Sequence, residues 1–164
     1  LEPNYLTIYV DLDGVLFDYD TAANKVLKTD NHYKYEFIWG ADKYWQRLHE
    51  KKDFFETLPL MPGAGRLWSA VKPYGAKILT ALPKSNPDPV DRQKRQAVKD
   101  KIDWRAEVIT CSTLEKPNFC KPGDILIDDR AVNRDAWIAK GGIYIIHTDA
   151  DQTIGTLRAL GVID

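Results

Sequence analysis

The chain has 164 residues, 44% hydrophobic and 29% charged, which is the mix of one folded domain and excludes a disordered segment. Its 23 basic and 24 acidic side chains give a formal charge of −1, so no overall positive field exists to hold a polyanion non-specifically. No apolar run reaches bilayer length, and residues 1–4 lack the basic start of a leader.

Strand-like and helix-like patterns alternate along the chain. Tyr5–Val10 (YLTIYV) reads as a buried strand, and Thr21–Leu27 has helical spacing. From Tyr33 to Phe55 aromatic residues crowd among charges, a pattern of two or three short helices. Leu58–Gly63 breaks the chain. Ala64–Val71 is amphipathic and helical, stopped by Pro73 and Gly75. Ala76–Thr80 is a strand, and a loop at Asn86–Pro89 leads into a helix through Ile102. Ala106–Thr110 and Asp124–Ile127 are strands, Ala131–Lys140 is a helix, Gly142–Ile146 is the fifth strand and Gln152–Leu160 the last helix. This order predicts an α/β fold: a three-layer, Rossmann-like parallel sheet in one domain over 1–164. The aromatic segment, 19–60, is a small helical cap inserted after the first strand, leaving a core of 1–18 and 61–164. Cys111 and Cys120, nine residues apart, have no zinc spacing and read as reduced thiols, which suits the cytoplasm.

The chemistry concentrates at strand ends. Asp11-Leu12-Asp13-Gly14 closes the first strand, and Asp128-Asp129 closes Ile125–Ile127. A parallel sheet brings both acidic ends to one edge, where the carboxylates repel one another unless a cation is present. Mg²⁺ suits such a site, taking carboxylates, waters and a phosphate oxygen. The Thr80 hydroxyl and the neighbouring backbone at Ala81 can hold a phosphate oxygen at the same edge. Lys116 and Lys121 both lie in the loop before the acidic strand, where an ammonium would stabilise developing charge.

These elements, in this order, resemble the four motifs of the haloacid dehalogenase superfamily of phosphatases: DLDGV at Asp11–Val15, ILT at Ile78–Thr80, a lysine after Cys111, and ILIDD at Ile125–Asp129. DLDGVLFDYD, DFFETLPLMPGA at Asp53–Ala64 and KPGDILIDDR at Lys121–Arg130 are similar to the 5'(3')-deoxyribonucleotidase-like branch, in its small bacterial and phage-type form. Ala81 stands where members commonly carry a serine. Lys94 matches a phosphate-binding lysine, with Ala97 where a tryptophan is usual, and Lys116 fits the pattern better than Lys121.

The resemblance implies that Asp11 is the nucleophile and Asp13 the acid and base. Mg²⁺ would be held by Asp11, the Asp13 carbonyl and Asp128, with Asp129 orienting the shell. Thr80, Ala81, Lys116 and Lys94 would bind phosphate, while Tyr19, Phe37, Trp39 and Trp45 are the aromatic candidates for a base or sugar. The expected partner is a small phosphomonoester, a nucleoside monophosphate first, with no membrane partner; the near-neutral charge disfavours nucleic acid, and a homodimer is compatible with the pattern. A sugar phosphate or nucleic-acid 3' end, or a non-catalytic nucleotide-binding protein, are the alternatives. His32, His49 and His147 show no metal spacing and read as structural or surface residues.

Overall fold

Five short strands form one parallel sheet: β1 (Ile8–Val10), β2 (Lys77–Ala81), β3 (Val108–Cys111), β4 (Ile125–Asp128) and β5 (Ile143–Ile146), ordered β3-β2-β1-β4-β5 in space. The computed structural model describes residues 5–164, so the reading of residues 1–4 lies outside the described residues. The helices are α1 (Tyr19–Leu27), α2 (His32–Trp39), α3 (Ala41–Glu50), α4 (Ala64–Val71), α5 (Pro87–Lys101), α6 (Arg134–Ala139) and α7 (Ala150–Ala159). Among the described residues no helix is long and apolar enough to cross a membrane.

The pleat sorts each strand between two layers. Ile8, Val10, Ile78, Ile125 and Ile127 join the large core built with α4, α5 and α7. Tyr9, Leu79 and Leu126 face the other way, onto the fully buried Trp137 of α6. Trp137 Nε1 donates to the Asp124 carbonyl at 3.1 Å, so the largest side chain of that layer has its polar atom satisfied. The first strand is shorter than its sequence suggests. Thr7 precedes it and is tied to the start of β4 instead, donating to Asp124 Oδ1 at 2.8 Å and accepting from the Ile125 N–H at 2.9 Å.

Periodicity also does not disclose a short 3₁₀ helix at Thr113–Phe119, which contains Pro117 and is too brief to show an apolar stripe. Ser112 and Glu115 start it with a reciprocal capping box.

The three helices after β1 leave and rejoin the body through a narrow neck. Phe17 bridges Leu60 in antiparallel fashion, the Asp18 N–H donates to Pro59 O at 2.8 Å, and the Met61 N–H donates to Leu16 O at 2.8 Å. Inside the loop, Ala23, Leu27, Tyr44, Leu48, Phe54, Phe55 and Leu58 are buried in continuity with the large core. The inserted segment is therefore seated on the sheet's first layer, over the carboxyl end of β1.

Candidate active site

Asp11 follows β1 directly, and its N–H donates to Ile127 O of β4 at 3.0 Å. Val10 and Ile127 are paired in register, so adjacent strands release Asp11 and Asp128 side by side. This is where the strand order divides, with β2 on one side of β1 and β4 on the other. A crevice at the carboxyl ends is the expected place for a ligand in such a sheet.

The turn after Asp11 is tightly made. Leu12 O accepts from the N–H groups of Val15, Leu16 and Phe17, and Asp11 Oδ1 accepts from the Leu12 N–H at 2.8 Å. Gly14 sits at φ +84°, and a Cβ there would fall 2.0 Å from Asp129 Oδ2. Only glycine permits both the backbone angle and the approach of that carboxylate.

One oxygen from each of Asp11, Asp128 and Asp129 lies within 4.8 Å of the others. Among the described residues, Oδ1 of Asp129 and Oδ1 of Asp13 are buried without a hydrogen-bond partner. Beside Asp11 and Asp128, a buried Asp129 oxygen left in this way is costly, and a hard cation is the partner its chemistry fits. Asp129, expected behind the metal shell, thus stands in the same group as Asp11 and Asp128.

Two buried lysines bracket the acids. Lys116, from the 3₁₀ helix, places Nζ 3.1 Å from Asp11 Oδ1 and 3.0 Å from Asp128 Oδ2. Lys121 is exposed and held by its backbone, its N–H donating to Asp124 Oδ2 and its carbonyl accepting from the Asp124 N–H, both at 2.9 Å, so of these two lysines Lys116 is the one at the site. Lys94, from α5, donates to Asp13 Oδ2 (3.1 Å), Thr80 Oγ1 (2.8 Å) and Ala81 O (2.6 Å). The Thr80 hydroxyl is fully buried at the end of its strand pairing, beside Asp13 through this ammonium.

The charges shift one another. Burial, opposed by Lys116 and reinforced by Asp128, Asp129 and Asp13, pushes the Asp11 carboxyl well above the usual range. Burial and the charge of Asp128 push Asp129 up to about 7. Burial works against the charged form of Lys116, but Asp11 and Asp128 outweigh it and raise its ammonium above the ordinary lysine value.

Above these groups a cleft of about 190 Å³ is walled on the inserted side by Tyr19, Tyr33, Glu36, Tyr44, Trp45 and Phe55. Trp45 and Phe55 stack with centroids 6.4 Å apart. Of the four aromatic candidates, Tyr19 and Trp45 line the cleft. Phe37, 90% exposed, and Trp39, 56% exposed and covered by the Lys43 ammonium at 4.4 Å, are not among its lining residues. Helix α2 mixes aromatic residues with Lys34 and Glu36 and leaves Tyr33, Phe37 and Trp39 all exposed, so residue type there does not disclose direction.

Sequence reasoning missed Tyr44, Asp20, Tyr33, Glu36 and Arg130, which also line the cleft. His32, without metal spacing in the sequence, is buried with both ring nitrogens engaged, Nε2 by Asp20 Oδ1 at 2.5 Å and Nδ1 by Tyr44 Oη at 3.1 Å. Its partners lie twelve residues away on either side, a separation no local motif encodes.

No family model and no curated protein matches the chain. The structure is similar to that of a hydrolase from Streptococcus pneumoniae TIGR4, with a TM-score of 0.57 and 16% identity over 94% of this chain and 98% of the other. It is also similar to L-2-haloacid dehalogenase from Xanthobacter autotrophicus, with a TM-score of 0.53 and 13% identity over 94% of this chain and 82% of that one. The same dehalogenase with chloropropionic acid covalently bound gives a TM-score of 0.51 and 13% identity over 96% and 84%. At such identities the likeness concerns the fold: the chain has the α/β fold of the haloacid dehalogenases.

Proposed function

We propose that this chain is a Mg²⁺-dependent phosphomonoester hydrolase that works through an aspartyl-phosphate on Asp11, with a nucleoside monophosphate as substrate, as in the 5'(3')-deoxyribonucleotidase-like branch. The observation that carries the reading is the cluster of Asp11, Asp128 and Asp129 around one point, with Lys116 bonded to two of them. Asp11, Asp128 and Asp129, with the Asp13 carbonyl, would hold Mg²⁺, which supplies charge neutralisation for a phosphoryl group when bound.

The Asp11 carboxylate attacks phosphorus and the bond from phosphorus to the ester oxygen breaks. Asp13, protonated, passes its proton to the departing alkoxide and then takes one from the water that attacks the aspartyl-phosphate. The Asp11–phosphorus bond breaks and inorganic phosphate leaves. The unpartnered Oδ1 of Asp13 leaves it free for that exchange, while Lys94 holds Oδ2. Lys116, Lys94 and Thr80 meet the phosphoryl oxygens, since such transfer needs positioning and charge above all. The L-2-haloacid dehalogenase of the same fold holds chloropropionic acid covalently, which accords with a covalent route. Tyr19, Trp45 and Phe55 offer flat apolar walls suited to a base, and the inserted segment 19–60 serves as the cap that presents them.

The test is phosphate release from a panel of nucleoside monophosphates and sugar phosphates, with Mg²⁺ or EDTA, by wild type and Asp11→Asn. Release from nucleotides that EDTA and the substitution both abolish is expected. Binding of nucleotides without release from any compound would replace the reading with a non-catalytic one, and a preference for sugar phosphates would move the substrate class.

A further inference from the structure

The inserted segment carries a polar chain, buried at His32 and Tyr44 and open to solvent at Asp20, that the proposed chemistry does not use. It runs from Asp20 Oδ1 to His32 Nε2 (2.5 Å), from His32 Nδ1 to Tyr44 Oη (3.1 Å), and from Tyr44 Oη to Tyr19 Oη (2.6 Å). Its members come from α1, α2 and α3 in turn, and both Tyr19 and Tyr44 line the cleft. His32 and Tyr44 are each only 3% exposed. The backbone is held as well, because the His32 N–H donates to Asn24 Oδ1 at 2.8 Å. The Tyr19 ring stands edge-on to both His32 and Phe54.

The direction of these bonds follows from counting hydrogens. A carboxylate accepts, so the Asp20 contact places a proton on Nε2 of His32. In the neutral ring Nδ1 is then bare and accepts the only hydroxyl hydrogen of Tyr44. The Tyr44 oxygen, with its hydrogen spent, accepts that of Tyr19. Tyr19 is left with lone pairs and no hydrogen toward the cleft. Both phenols keep their protons, since burial raises each hydroxyl above the ordinary tyrosine range.

We infer that Asp20, His32 and Tyr44 are positioning residues that fix Tyr19 as a hydrogen-bond acceptor, so that the cleft selects phosphomonoesters presenting a hydroxyl or amino donor to it. This rests on the phosphohydrolase reading of the cleft and adds a recognition rule to it. A site built to accept a donor rejects the analogue that lacks one, because its buried oxygen then goes unpaired. A proton added at Nδ1 leaves the bond to Asp20 as it is, reverses those from His32 to Tyr44 and from Tyr44 to Tyr19, and turns the Tyr19 hydrogen toward the substrate. The groups facing the ring are Asp20 and Tyr19 from α1, Tyr33 from α2 and Tyr44 from α3, with the Arg130 guanidinium 5.8 Å from the Tyr33 ring.

Two measurements test this, and the first needs no substrate. In protein labelled with ¹⁵N-histidine, with His32→Gln to assign the signals, His32 is expected to show a protonated Nε2 and a bare Nδ1 under assay conditions; a proton on Nδ1 there overturns the inference whatever the enzyme acts on. The second compares uridine 5'-monophosphate with its 2'-O-methyl, 3'-O-methyl and N3-methyl derivatives. Wild type is expected to discriminate against one derivative by about tenfold in kcat/KM, carried by KM. Tyr44→Phe frees the Tyr19 hydrogen and brings that ratio to within about twofold. His32→Gln, whose amide can donate to Asp20 and accept from Tyr44, retains the discrimination, and His32→Leu loses it. Discrimination that survives Tyr44→Phe is steric and sinks the proposal, as does equal use of all four compounds. Failure to hydrolyse any of them tells against the phosphohydrolase reading and leaves the tautomer measurement to decide the relay.

Discussion

Lys116 Nζ lies 3.0 Å from Asp128 Oδ2, and the same ammonium reaches Asp11 Oδ1 at 3.1 Å, so one buried cation ties the tips of neighbouring strands together. Lys116→Met keeps most of the volume and removes the charge. Three carboxylates then face one another without compensation. Breaking a buried pair in this way costs about 3–5 kcal/mol. Urea unfolding in EDTA should show that loss, and Mg²⁺ should restore part of it by binding the folded state alone. A midpoint in EDTA equal to that of wild type would show that the acids are neutralised by protons and not by the lysine.

Asp129 makes metal binding a proton-releasing event. Its carboxyl is raised to about 7 in the metal-free protein, by burial first and Asp128 second. Below that pH the folded protein holds a proton there, whereas a free carboxyl lets go at about pH 4. The raised value therefore makes the ionised cluster unfavourable on its own, and a divalent cation displaces the proton. Mg²⁺ affinity should rise as pH climbs through about 7, and calorimetry in buffers of different ionisation enthalpy should find about one proton or more released at pH 6 and fewer at pH 8.5. A proton count that does not change with pH would remove Asp129 from the metal site.

Much of this was written in the sequence because it is local. Asp11, Asp13, Asp128 and Asp129 each follow an apolar strand, and parallel pairing of β1 with β4 does the rest. Ala64–Val71 becomes helical over the span its amphipathic pattern indicates, between Gly63 and Pro73. The cap was less legible. Aromatic side chains there serve as core, cleft wall and exposed surface alike, so aromatic type did not separate Tyr19 and Trp45, which line the cleft, from Phe37 and Trp39, which do not. The Tyr19–Tyr44–His32–Asp20 chain was hidden for a related reason: each bond joins different helices, and only tertiary packing creates the sequence of partners.

Gly14 offers a test of the same cluster by geometry. At φ +84° an alanine pays for left-handed backbone, roughly 1–2 kcal/mol, and its methyl would overlap Asp129, whose Oδ2 is 2.0 Å from the Cβ position. Asp129 must then move away from Asp11 and Asp128. Gly14→Ala should lower the melting temperature modestly and weaken Mg²⁺ binding by roughly 10–100-fold, the range seen when groups that orient a metal shell are disturbed. Unchanged metal affinity in a destabilised variant would mean that the backbone yields and the carboxylate does not.

Acid stability should depend on a pair remote from the cleft. Trp68 Nε1 donates to Asp103 Oδ2 at 3.0 Å, the Arg105 N–H donates to Oδ1 at 3.0 Å, and Lys72 Nζ is 3.1 Å away. The indole contact first, then the amide and the lysine, lower the Asp103 carboxyl to about 2. In the unfolded chain the same group titrates at about 4. A depressed folded value stabilises the protein above the unfolded one, and that contribution disappears as pH falls through the window between about 4 and about 2. Trp68→Phe removes the indole donor and leaves a small cavity, because Trp68 is buried. The cavity term is the same at every pH, whereas the lost hydrogen bond counts only while Asp103 is ionised. The gap in urea midpoint between wild type and Trp68→Phe should therefore narrow from pH 5 to about pH 2, as expected from proton linkage. A gap constant across that range would assign the whole effect of the substitution to packing and none to the carboxylate.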